Sequence, residues 1–228
     1  MATLKLNLDK VRQRIDHACA AAQRPAGSVT LLAVSKTFGA GAVREAFVAG
    51  QLRFGENQVQ EGVEKIEALG EFRDRIEWHL IGPLQSNKTR LAAERFDWVQ
   101  SIDRLKIAQR LSEQRPVGLA PLQVCVQVNI SGEATKSGVA PDALPALAQA
   151  VAGLPRLRLR GLMAVPEPAG DFAAQRAPHR ALHALWLRLQ QSGLALDTLS
   201  IGMSDDLEAA IAEGATLVRV GTAIFGGR

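Results

Sequence analysis

Tyrosine is absent from all 228 residues, so no phenol is available as an acid or base. Cysteine is scarce. Cys19 and Cys125 have neither C-x-x-C spacing nor clustered histidines beside them, which excludes a zinc centre or a thiol redox pair and leaves two reduced, buried thiols. No stretch approaches the roughly 20 apolar residues that cross a bilayer, and Met1-Ala2-Thr3-Leu4-Lys5 has no apolar signal core. Membrane association is not expected, and a cytoplasmic location follows by default. Charge of one sign is nowhere concentrated: 27 Lys+Arg against 23 Asp+Glu leave +4, with the arginines scattered, so nucleic acid is not indicated as a partner. Linker-like Gly/Ser or Pro-rich tracts are missing too, and residues 166–171 read as turn chemistry rather than a hinge. With 47% hydrophobic and 22% charged residues, the chain is expected to bury one core as a single domain over residues 1–228.

What is present is an alternation. Short, β-branched, strand-like runs at 29–35, 52–55, 77–81, 98–102, 122–130, 157–165, 198–201 and 217–220 are separated by stretches of helical period. Those helices are expected at 40–49, 59–69, 85–95, 104–114, 141–152, 172–191 and 205–212, with a short tail after Thr222 and an extra N-terminal helix over 4–22. Eight β/α units in about 200 residues fit an α/β fold of the closed (β/α)8 TIM barrel type. A doubly wound open sheet is the alternative, but these runs show no capping of edge strands.

In such a barrel the strand C-terminal ends face the active site. Lys36 ends the apolar run Val29-Thr30-Leu31-Leu32-Ala33-Val34-Ser35, where a buried strand would deliver one amine into a pocket. Desolvation disfavours the ammonium form, so such an amine can fall well below about 10.4 and attack an aldehyde. A lysine that simply leaves the sheet edge for solvent is the plainer alternative. Ser200-Ile201-Gly202-Met203-Ser204-Asp205-Asp206 and Arg219-Val220-Gly221-Thr222 end the last two strands. Small residues there admit a phosphate to backbone N–H groups, the hydroxyls of Ser200, Ser204 and Thr222 can donate to it, and both loops open helices. Ser204-Asp205-Asp206 reads equally as a helix N-cap, and the two readings are compatible.

A lysine for an aldehyde opposite a phosphate cradle is the arrangement that pyridoxal 5′-phosphate requires. The motifs Val34-Ser35-Lys36-Thr37, Phe54-Gly55-Glu56-Asn57, Trp78-His79-Leu80-Ile81-Gly82-Pro83, Arg160-Gly161-Leu162-Met163, Gly202-Met203-Ser204-Asp205-Asp206 and Arg219-Val220-Gly221-Thr222-Ala223-Ile224-Phe225-Gly226 carry a resemblance. In this order, from about Val29 to Gly226, the chain resembles the pyridoxal phosphate homeostasis proteins, small relatives of the alanine racemase N-terminal barrel. The resemblance implies a fold-type III barrel holding pyridoxal phosphate as an aldimine on Lys36. Ser200, Ser204, Gly221 and Thr222 match phosphate-binding positions, and Arg219 matches the residue near the pyridine nitrogen. With a pKa above 12, an arginine cannot hold a proton on that nitrogen, which weakens the ring as an electron sink. Asn57, His79 and Met203 match pocket positions, although His79 reads equally as a hydrogen-bonded core histidine.

Two positions depart from the family pattern: Gln58 follows Asn57 where an aromatic is common, and Ile201 replaces a methionine before Gly202. Neither removes an atom the cofactor needs. The expected function is intracellular homeostasis of pyridoxal phosphate, with supply to apo-enzymes and no catalytic residues of its own. Racemisation of an amino acid is the alternative, yet it needs a second acid or base, which the racemases resembled here take from a Tyr supplied with a C-terminal β domain. The chain contains no Tyr and stops after its eighth strand and short helix, so carrier function and a monomer are expected. A Schiff-base aldolase would need a lysine deep on a later strand, and the strand-end lysine is on the first. Lys136 reads either as a second, transient amine at the mouth or as a solvated loop lysine.

Overall fold

A parallel strand covered on both faces needs apolar side chains at consecutive rather than alternate positions, and Trp98–Ile102 and Leu217–Val220 are buried at every residue. In this computed structural model, which describes residues 2–132 and 137–227, eight parallel strands pair in chain order and close into a barrel. They are β1 (Thr30–Val34), β2 (Arg53–Glu56), β3 (Glu77–Leu80), β4 (Trp98–Ile102), β5 (Leu122–Gln127), β6 (Leu157–Met163), β7 (Thr198–Ser200) and β8 (Leu217–Val220). Closure is made by β1 against β8, Thr30 opposite Leu217 through Ala33 opposite Val220. The fold is the expected (β/α)8 barrel, not an open sheet.

The helices are α1 (Ala2–Ala21), α2 (Ala40–Val48), α3 (Val59–Ala68), α4 (Thr89–Arg95), α5 (Leu105–Gln114), α6 (Leu144–Ala152), α7 (Phe172–Gln191), α8 (Leu207–Ala212) and α9 (Thr222–Phe225). The extra helix α1 buries Leu8, Val11, Ile15, Ala18 and Cys19, a stripe at three- and four-residue spacing. It packs on α8 and α9. Arg14 pairs with Glu208 at 2.9 Å, and Asn7 Nδ2 donates to the Ile224 carbonyl at 3.0 Å.

Element limits differ from expectation where tertiary contacts decide them. The strand within the run 122–130 ends at Gln127: the Val128 N–H still donates to the Met163 carbonyl at 2.9 Å, but Val128 then forms an isolated bridge with Val139. The segment 85–95 opens with a 3₁₀ turn, Ser86–Lys88, and 141–152 with another, Pro141–Ala143. Helix α8 starts at Leu207, not 205, because Asp206 caps it with a non-helical backbone (φ −125°, ψ 18°) and its carboxylate accepts the Met203 N–H at 2.6 Å.

The main apolar core lies between strands and helices, while inside the barrel a small cluster of Trp98, Cys125 and Met163 stands apart. Around that cluster the interior is polar: His79, Gln100, Ser200 and Arg219 are all buried. Both cysteines are free and buried, and burial pushes the Cys125 thiol up to about 12, so it is inert as a nucleophile. Strands β6 and β7 approach so closely that a Cβ on Gly161 would lie 1.6 Å from the Thr198 carbonyl oxygen. Gly161→Ala is therefore expected to cost about 3 kcal/mol or more in urea unfolding, since the obstructing atom is backbone and cannot swing aside.

Candidate functional site

Strand β1 ends at Val34, and the next two residues leave the sheet at its C-terminal mouth. Lys36 is consequently exposed, with no hydrogen-bond or ion-pair partner among the described residues. This corrects the expectation of an amine enclosed in a pocket: the mouth is open, and the chain turns away immediately afterwards. Thr37 makes that turn with φ 69°, a left-handed conformation that a β-branched residue seldom adopts. Its backbone N–H donates to the Glu61 carboxylate, which holds the turn.

Beneath Lys36 lies a buried ionic cluster that the sequence reading missed. Lys65, 5% exposed on α3, donates to both Glu56 carboxylate oxygens at 2.8 Å, to Glu61 at 2.8 Å and to the Ser35 carbonyl at 2.7 Å. Ser35 Oγ donates to Glu56 at 2.5 Å. Burial pushes the Glu56 carboxyl above the usual glutamate value, against the attraction of Lys65. The cluster therefore grips Ser35 and Thr37, the two neighbours of Lys36. Its signal in the sequence was a lysine on the apolar face of a helix with Glu61 four residues before it.

On the neighbouring strand β8, Arg219 points into the barrel and is 3% exposed. Its Nη1 donates to the Ser200 carbonyl at 2.6 Å and to Ser200 Oγ at 2.7 Å, and Nη2 donates to the Ala164 carbonyl at 2.8 Å. No carboxylate pairs with it among the described residues, and two of its five N–H donors are unengaged. Burial lowers its pKa to about 10, against the attraction of Asp206, and the guanidinium remains a cation at neutral pH.

Ser200 does not serve as expected from its sequence position. Its hydroxyl donates to Gln100 Oε1 at 2.6 Å and accepts from Arg219, so its proton is unavailable to a phosphate. His79 is likewise sealed at 0% exposure below the mouth, between Glu77 (2.8 Å) and Gln100 (2.9 Å), and stacked on Trp98 with centroids 5.0 Å apart. It has the partners of a hydrogen-bonded core histidine, turned into the barrel by the strand period and tied to Glu77 on the side of the N-terminal face.

The remaining residues read from sequence stay at the rim. Asn57 follows β2 and is partly exposed; the chain after β3 crosses its backbone so tightly that a Cβ on Gly82 would lie 2.0 Å from its carbonyl oxygen. Met203 and Ser204 are partly exposed in the loop after β7, which turns through Gly202 at φ 91°. Asp206 closes that loop, accepting the Met203 N–H and pairing with His179 at 2.9 Å. Gly221 is partly exposed and Thr222 exposed after β8. Helices α8 and α9 span six and four residues, so this rim offers local N–H groups rather than a long helix dipole. Lys136 lies outside the described residues. Clefts of about 560 and about 390 Å³ indent the opposite, N-terminal face, where Arg53 with Glu77 and Arg160 with Asp197 already neutralise one another.

Lys65→Met is expected to lower stability by about 3–5 kcal/mol by stranding Glu56, and Lys65→Met/Glu56→Gln to recover most of it, as measured by urea unfolding. At the barrel floor, burial raises Glu77, but the hydrogen bond from His79 and the Arg53 charge outweigh it and hold the carboxyl at about 2 against an ordinary 4.5. A carboxylate depressed in the folded state stabilises above its unfolded pKa. Stability should thus fall as pH drops from about 4.5 toward 2, and Glu77→Gln should flatten that limb of the pH–stability curve.

Residues 6–228 match the family described as alanine racemase, N-terminal domain. Over its whole length the chain is 61% identical to the pyridoxal phosphate homeostasis protein of Pseudomonas aeruginosa, covering 97% of it. Over 97% of its length it is 55% identical to the protein of that name from Escherichia coli, covering 95%. PipY of Synechococcus elongatus, solved with pyridoxal phosphate bound, superposes with a TM-score of 0.81 at 40% identity, over 93% of this chain and 100% of that one. The alanine racemase of Corynebacterium glutamicum, at 18% identity, shares the fold, with a TM-score of 0.70 over 97% of this chain and 62% of that one. With identity this high along almost the entire length of both partners, the chain belongs to the pyridoxal phosphate homeostasis proteins of the alanine racemase N-terminal domain family.

Proposed function

We propose that this protein binds pyridoxal 5′-phosphate at the C-terminal mouth of its barrel, as a Schiff base on Lys36, and supplies it to apo-enzymes in the cytoplasm without a turnover reaction of its own. The observation that carries the reading is the placing, on adjacent strands, of an accessible amine and a buried guanidinium that have no carboxylate partner among the described residues, Lys36 after β1 and Arg219 on β8. An aldehyde-bearing anionic heterocycle answers both. The amine meets the aldehyde, and the unengaged donors of Arg219 meet an acceptor nitrogen of the ring.

In this reading Ser204, Gly221 and Thr222 offer the phosphate hydroxyl and backbone donors, and Asn57 and Met203 line the ring. Pyridoxal phosphate supplies an electrophilic carbonyl and an electron-withdrawing ring when bound. The chain's own residues hold and orient it. Arg219 stays charged yet gives the ring nitrogen no proton, which limits the ring's capacity to stabilise a carbanion. No tyrosine exists to act as an acid or base on the second face. A relative at 40% identity, PipY, has been solved with pyridoxal phosphate bound, which supports the cofactor. One barrel domain, acting as a monomer, suffices for this function.

Purified protein mixed with pyridoxal phosphate should develop a visible absorption band that borohydride bleaches, with the reduced adduct on the peptide containing Lys36 and no band in Lys36→Ala. No band, or an adduct spread over surface lysines, would overturn the cofactor assignment. The loaded protein should leave L- and D-alanine unracemised; turnover above about one per second would establish a racemase instead.

A further inference from the structure

The buried polar groups inside the barrel form one chain of hydrogen bonds in which each donor dictates the next. A guanidinium only donates, so Ser200 Oγ accepts from Arg219 at 2.7 Å and passes its own proton to Gln100 Oε1 at 2.6 Å. The other end of the Gln100 amide then presents Nε2–H to His79 Nδ1 at 2.9 Å. That nitrogen must be unprotonated, which leaves the imidazole proton on Nε2, 2.8 Å from the Glu77 carboxylate. The reverse orientation of Gln100 would take away the acceptor of the Ser200 proton and, with a neutral imidazole, would turn the lone pair of His79 Nε2 toward Glu77. Only one polarity satisfies every member. The chain runs from a cation below the C-terminal mouth to an anion at the N-terminal face, where Glu77 also meets Arg53 at 3.2 Å. Stacking on Trp98, itself under the Arg160 guanidinium at 4.9 Å, fixes the plane of the His79 ring.

We infer that Gln100, His79 and Glu77 are positioning residues for Arg219: the donor chain Arg219–Ser200–Gln100–His79–Glu77 sets which guanidinium N–H groups remain for the ring nitrogen of the bound cofactor. The inference rests on the proposed binding of pyridoxal phosphate at the mouth. None of the three residues needs to touch that ligand. Gln100 is the central link, because its amide joins the Ser200 hydroxyl to the His79 ring. Removing it leaves the Ser200 hydroxyl without its acceptor and free to rotate, so that Arg219 keeps its two carbonyl partners but loses the fixed hydroxyl one.

Two measurements test this. In the unliganded protein, ¹⁵N NMR should find His79 protonated on Nε2 and bare on Nδ1. In cofactor titrations, Gln100→Met should weaken pyridoxal phosphate binding about tenfold and move the visible absorption maximum, while thermal unfolding remains cooperative. Should Gln100→Met fail to fold, the partly exposed Glu77 carries the test: Glu77→Ala should weaken binding several-fold and Glu77→Gln, which still accepts from His79, should restore it. A His79 proton on Nδ1 overturns the inference. So does unchanged affinity and spectrum in both Gln100→Met and Glu77→Ala, with the proposed function left intact because the wild type still loads. A wild type that takes up no pyridoxal phosphate overturns the proposed function, and the inference falls with it.

Discussion

The pairing of β1 with β8 is the contact on which the site depends. Lys36 and Arg219 are far apart in sequence, and only the register that sets Ala33 opposite Val220 brings the end of the first strand beside the end of the last. In an open sheet the two strands could end on opposite edges, and an amine after one would share no rim with a cation on the other. Long-range pairing of this kind forms against loop-closure entropy, so it is stabilised late and collectively by the apolar layer between strands and helices. Helix α1 contributes by packing on α8 and α9 behind that seam, with Arg14 pairing with Glu208 and donating to the Ser204 carbonyl at 3.0 Å. The loop after β7 is thereby held from outside as well as from within.

Buried charge is handled in two different ways. A guanidinium or ammonium stripped of water is costly unless its donors are met. Lys65 meets two carboxylates and a carbonyl, whereas Arg219 meets only neutral oxygens. The difference fits the proposed division between Lys65 as a structural cation and Arg219 as one that meets a ligand. A closed ion cluster gains nothing from a further anion, while a cation neutralised only by dipoles gains from an electron-rich partner.

Much of the architecture was legible because a barrel strand is buried on both faces and reads as a short apolar run between helical periods. Limits were less so: Asp206 ends α8 through contacts with Met203 and His179, and the second of these lies on another helix. At the site, strand-end residues such as Lys36, Asn57, Gly221 and Thr222 could be placed by their position after a run. Residues inside the strands could not. Motif order says nothing about depth, so it could not show that Ser200 is tied to Gln100 and Arg219, or decide between the pocket and core readings of His79. Gln100 went unread, although a glutamine in the middle of Trp98-Val99-Gln100-Ser101-Ile102 had to have buried partners. The missing information was which strands face one another across the barrel.

The two lysines near the mouth show why exposure at Lys36 favours the proposed chemistry rather than weakening it. An amine attacks a carbonyl through its lone pair, so a lysine whose protons are fixed by four acceptors has nothing to offer. Lys65 is such a lysine, and burial also denies it access to a ligand. Lys36 has neither constraint. What it needs instead is a defined approach, and that comes from its backbone: Ser35 is tied through its carbonyl and hydroxyl to the Lys65–Glu56 pair, and Thr37 is held in a left-handed turn by Glu61. A flexible side chain on a rigid hinge would suit the proposed carrier, since a bond to an aldehyde could form without burying the amine and break without unfolding the loop.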